Sequence, residues 1–274
     1  LVGALSKDLI ASSAFEEEAY TMNVLLPHLV SPNFLKLRVL SCSGRLSSSL
    51  PLEVCVPFVE ATVEVLNDPS PESYSMKIAA CRALSSFCIA RPDLVKKYAS
   101  KAIPSICNTL VQQRDASTEM IHVTILGLND VIRASDVELV VGVEPDVTRT
   151  LIAIWHRKFG DMTITSDIRD MFRVLLRVGG GRSVAGMSER LLPTLMTAVN
   201  ATGEDSPIAA VVPTALSIIQ EFVQAVKLAR GEEGAGGGEG EMVLKTVLPC
   251  VIGAVERSTG SSVVEAASDA LACI

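Results

Sequence analysis

Three histidines, His28, His122 and His156, and seven cysteines, at 42, 55, 81, 88, 107, 250 and 273, are the side chains of this 274-residue chain best suited to bind a metal or attack an electrophile. A zinc site gathers four such ligands about one ion, which leaves short fixed spacings such as Cys-x-x-Cys or His-Glu-x-x-His in the sequence. Neither occurs, and the histidines are far apart. Two glycine-rich stretches, GGGRSVAG at 179–186 and GEEGAGGGEGE at 231–241, invite comparison with phosphate-binding loops. Neither follows a strand, and neither closes on the Gly-Lys-Ser/Thr whose backbone and ammonium would hold a phosphate. No Gly-x-Ser-x-Gly elbow is present, and no serine or cysteine has a base beside it. The pattern supplies no catalytic residue, no cofactor site and no metal site, so the chain reads as a non-enzyme.

The cysteines are odd in number and mostly lie beside Leu, Ile or Val on apolar faces. That is the pattern of buried, reduced thiols acting as small hydrophobes, and it points to a reducing compartment. The informative polar groups are carboxylates. Glu16, Glu17 and Glu18 are consecutive, Glu204 adjoins Asp205, and Glu232, Glu233, Glu239 and Glu241 fall in the second glycine-rich stretch. Such runs normally form solvated surface; presented together they attract a basic partner. The net charge of −7 argues against a nucleic-acid binder, which needs a basic stripe. The longest uncharged apolar runs, such as 206–220, are broken by proline and fall short of the roughly 18 to 20 residues of a membrane span.

What must position these groups is a set of helices. Hydrophobic residues make up 49% of the chain and aromatics only 4%, so the core has to come from Ala, Val, Leu and Ile in many thin layers. In RLLPTLMTAVNATGEDSPIAAVVPTALSIIQEFV, residues 190–223, two apolar blocks flank a polar turn. Val212, Leu216, Ile219, Val223 and Val226 step along one helical face, and Leu192, Leu195, Met196 and Val199 along another. Ser206 and Pro207 suit a helix start, and Pro213 then predicts a kink or a restart. The same unit recurs: an apolar helix carrying a proline, a polar turn, a second apolar helix. Leu35, Val39, Cys42 and Leu46 share a face, as do Val56, Val59, Val63 and Leu66, and Met76, Ala80, Ala83 and Phe87.

The prolines at 27, 57, 104, 145, 193 and 249 lie 30, 47, 41, 48 and 56 residues apart, an average near 44. Helix-pair repeats of the HEAT and armadillo type have periods of about 40 to 47 residues. The expected fold is therefore all-α: an α-solenoid of about six degenerate HEAT repeats, each an antiparallel helix pair, elongated and continuous over residues 1–274. The stretch 231–241, with glycine at six of eleven positions and glutamate at four, is expected to form an acidic loop between repeats. Residues 179–186 are expected to form a shorter connection. Starting at Leu1 and ending at Ile274 within an apolar pattern, the chain reads as a piece of a longer protein.

The segments 190–223 and VLPCVIGAVERSTGSSVVEAASDALACI at 247–274 resemble consecutive HEAT repeats of the importin-beta (karyopherin) superfamily, nearest to the central region of the importin nine subfamily. SMKIAACRALSSFCIARPDL, 75–94, resembles the second helix of another repeat there. The likeness spans most of residues 20–274 and lies in the pattern, not in single residues. It implies a nuclear import receptor that shuttles between cytoplasm and nucleus and holds cargo on an inner face. Ran in its GTP form would release that cargo, and nuclear pore proteins would be further partners. The subfamily is associated with core histones, so the implied cargo is basic, with Glu16, Glu17, Glu18, Glu232, Glu233, Glu239 and Glu241 as candidate contacts. The single Trp155 speaks against an adaptor of the importin-alpha kind, whose groove uses repeated Trp and Asn pairs, and reads as core. Periodicity alone equally allows a HEAT scaffold of the phosphatase-subunit or assembly-factor type with no transport role.

Overall fold

The computed structural model describes residues 16–31, 33–70, 74–112, 115–158, 160–200, 211–233, 237–257 and 261–273. Among these there are thirteen α-helices and no strand. The chain groups into two compact units, 1–136 and 137–274.

In the first unit a short helix α1 (Glu17–Tyr20) continues as a π-helical turn, Thr21–Leu25, and a 3-10 turn, Leu26–Val30. Then come α2 (Asn33–Leu46), α3 (Leu52–Asn67), α4 (Tyr74–Ala90), the short α5 (Pro92–Lys96), α6 (Ala99–Gln112) and α7 (Thr118–Arg133). The second unit holds α8 (Val137–Lys158), α9 (Met162–Gly179), α10 (Gly181–Asn200), α11 (Val212–Glu233), α12 (Gly237–Arg257) and α13 (Ser261–Cys273). Within a pair, α3 packs on α4, α6 on α7, α8 on α9, α10 on α11 and α12 on α13. Between pairs, first helices pack on first helices (α3 on α6, α8 on α10, α10 on α12). Second helices do the same: α2 on α4, α4 on α7, α9 on α11, α11 on α13. No pair completes its core alone, and each unit is a two-layered helical repeat of solenoid type.

Every proline of the periodic set falls in a first helix or its equivalent, and none of the six is buried. Pro57, Pro104, Pro145, Pro193 and Pro249 lie inside α3, α6, α8, α10 and α12, which run on without interruption. A proline on the outer side removes one backbone donor and frees a carbonyl that water can reach, so the helix can continue past it. At Pro27 the helix instead tightens into the 3-10 turn. Pro213 occupies the first turn of α11, where its missing N–H costs nothing. Ser206 and Pro207 lie outside the described residues, and so does the stretch before Val211 on which a kink or a restart at Pro213 depends.

The faces expected from periodicity are largely the buried ones. Val212, Leu216, Ile219, Val223 and Val226 are all buried, as are Met76, Ala80, Ala83 and Phe87. Leu35 is an exception, 40% exposed near the start of α2. Aromatics are scarce but used at the centre: Phe58, Phe87, Phe172 and Phe222 are among the largest fully buried side chains, and Trp155 is buried too.

The connection expected over 179–186 contracts to one residue. Gly180, at φ 58° and ψ −153°, turns the chain between α9 and α10 in a region that side-chain-bearing residues avoid, so residues 181–186 are free to be helical.

Candidate functional site

The seven glutamates named from the sequence fall in both units. Glu16 precedes α1 and its carbonyl accepts the Tyr20 N–H at 2.9 Å; Glu17 and Glu18 begin the helix, and Glu16 and Glu18 are exposed. Glu232 and Glu233 are the last residues of α11, while Glu239 and Glu241 lie near the start of α12. The eleven-residue acidic loop is thus corrected: helix enters the stretch from both sides, and only 234–236 lie outside the described residues. A glycine inside a helix costs about 1 kcal/mol. Buried apolar faces on either side of the stretch, with Phe222, Val223 and Val226 before it and Val243 and Val247 after it, carry helix over that cost. The macrodipole favours Glu239 and Glu241 at a helix start and opposes Glu232 and Glu233 at a helix end. Glu204 and Asp205 lie outside the described residues.

A second acidic row was not singled out from the sequence. Glu53, Glu60 and Glu64 follow one another along the solvent side of α3, all exposed, and among the described residues no basic side chain pairs with them. Glu60 accepts a hydrogen bond from the Tyr98 hydroxyl at 2.8 Å, which raises the tyrosine pKa. A search for consecutive acids passes over this row, because one face of a helix returns every three or four residues. Spacings of seven and four are its signal.

Several polar side chains tie successive repeats together. Hydrogen-bonded side chains on successive pairs are separated by close to one repeat: Arg82 with Glu119 by 37 residues, Ser105 with Asn67 by 38, Arg182 with Glu138 by 44, Arg173 with Glu221 by 48. Arg173 Nε donates to Glu221 Oε2 at 2.8 Å and a second nitrogen to the other oxygen, while Arg169 donates to Ser217 Oγ at 3.0 Å. Arg91 donates to the Leu50 carbonyl at 2.6 Å, tying the chain after α4 to the turn after α2. The most enclosed pair is Glu144 with Arg190. Glu144 is 2% exposed, accepts the Thr148 hydroxyl at 2.6 Å and the Arg190 guanidinium, and so is satisfied inside the stack of α8 and α10. A Cβ at position 186 would lie 2.5 Å from a terminal nitrogen of that guanidinium, so the arginine would have to shift to admit a side chain there.

The groups suited to chemistry are scattered or shut away. His28 shares a hydrogen bond with Ser31 at 3.2 Å, His122 is half-buried in α7, and the His156 ring lies 5.8 Å from that of Trp155. Cys55, Cys81, Cys88, Cys107 and Cys250 are buried free thiols, and Cys42 is half-buried. Burial pushes the Cys81 thiol up to about 12, against a small opposing pull from Lys77. Burial likewise pushes Cys88 up to about 12, reinforced by the Asp130 carboxylate. A thiol held protonated this firmly is a poor nucleophile and a poor metal ligand. Among the described residues no group of three or more His, Cys, Asp or Glu side chains could hold a metal ion, and no helix is long and apolar enough to cross a membrane.

No family model matches the chain. Among solved structures it is similar to the crystal structure of an engineered protein, with a TM-score of 0.53 and 15% sequence identity over 91% of this chain and 67% of that one. At that identity the likeness concerns the fold alone.

Proposed function

We propose that the chain is a protein-binding segment of a nuclear transport receptor of the importin-beta kind, taking basic proteins such as histones as cargo under the control of Ran-GTP. Stacked helix pairs offer long, repetitive surfaces and no enclosed chemistry, which suits recognition of a macromolecule. The observation that carries the preference for a basic partner is the row Glu53, Glu60 and Glu64. These carboxylates are exposed and unmatched by any described basic group, whereas Glu119, Glu138, Glu144 and Glu221 are each paired with an arginine. Unmatched charge of one sign on a chain of net charge −7 attracts the opposite sign. Glu16, Glu17, Glu18, Glu232, Glu233, Glu239 and Glu241 add to the same field. In this reading the protein shuttles between cytoplasm and nucleus and also meets nuclear pore proteins.

The test is recovery of bound proteins from cell extract by the full-length protein, with and without Ran loaded with GTP. Release of basic proteins on adding Ran-GTP is the expected result. Bound proteins that stay in place would identify a scaffold instead, and the transport reading would fall.

A further inference from the structure

We draw no further inference here: the strongest candidate, the row of glutamates along the solvent face of α3, already belongs to the reading proposed above, and no second feature of the structure marks a ligand there.

Discussion

Glu144 occupies a place in α8 that apolar residues hold on either side, Val140 before it and Val147 and Leu151 after it, all fully buried. A carboxylate there is tolerable only while its charge is matched, and Arg190, one repeat further on, matches it. Removing the arginine alone strands a buried charge, whereas removing both partners leaves an apolar contact of similar size. Arg190→Leu should therefore destabilise the second unit by about 3 kcal/mol, and Glu144→Leu with Arg190→Leu should recover most of the loss. Urea unfolding followed through the fluorescence of Trp155, the only tryptophan, reads both variants in the right unit. A double variant as weak as the single one would mean that the pair itself stabilises the stack. In the first unit, Cys81 and Cys88 make a pH prediction. Each thiol keeps its proton to about pH 12 when folded and loses it near 9.0 once exposed. The folded chain then holds more protons over that interval, so the contribution is intact below pH 9.0 and is lost as pH rises toward 12. Far-ultraviolet dichroism in urea at a series of alkaline pH values should show this fall, and Cys81→Ala with Cys88→Ala should make it shallower.

Helices with a strict apolar stripe were legible because burial imposes the period of 3.6 on the sequence. Val212 to Val226 and Met76 to Phe87 are cases where the written stripe and the buried one coincide. The prolines marked the first helices of the repeats, since recurrence at one place in each unit sets them apart from chance breakers. Connections were misjudged for the opposite reason. Glycine content predicts a loop, yet at 179–186 one residue of positive φ completes the turn and the remaining glycines are helical. The candidate surface was legible only where acids adjoin in sequence, and the α3 row, spaced by the helix, was not. Four substitutions separate these roles. Leu216→Ala or Ile219→Ala, each at a fully buried site, should cost about 2 to 5 kcal/mol through lost packing. Gly180→Ala forces a side chain into a glycine-only conformation and should cost about 1 to 3 kcal/mol. Pro193→Ala restores a backbone hydrogen bond on the outer side of α10, and after the gain in unfolded-chain entropy should stabilise by about 1 kcal/mol. Equilibrium unfolding measures all of these. A loss of stability for Pro193→Ala would show that the proline itself is required for α10 to pack.

At the scale of the whole molecule the relevant quantity is the field of its charges, not any one contact. A net charge of −7, with carboxylates along α3 that no described basic group matches and with further glutamates at 232, 233, 239 and 241, would attract a basic protein before the surfaces touch. Such steering acts mainly on the rate of encounter and fades as salt shortens the screening length, to about 8 Å near physiological strength. Two variants of the full-length protein divide the effect: Glu53, Glu60 and Glu64 all changed to Gln, and Glu232, Glu233, Glu239 and Glu241 all changed to Gln. Each should slow association with a basic cargo and flatten its dependence on ionic strength. The α3 set should have the larger effect per charge, because its carboxylates are held exposed along one rigid helix. Helix content should be unchanged in the α3 variant, since its three side chains face water and form no ion pair with a described basic group. The measurement is the association rate over a range of salt, with unfolding midpoints as a control for stability. Rates and salt slopes identical to the parent in both variants, with folding intact, would remove the acidic surfaces from recognition and with them the preference for a basic cargo.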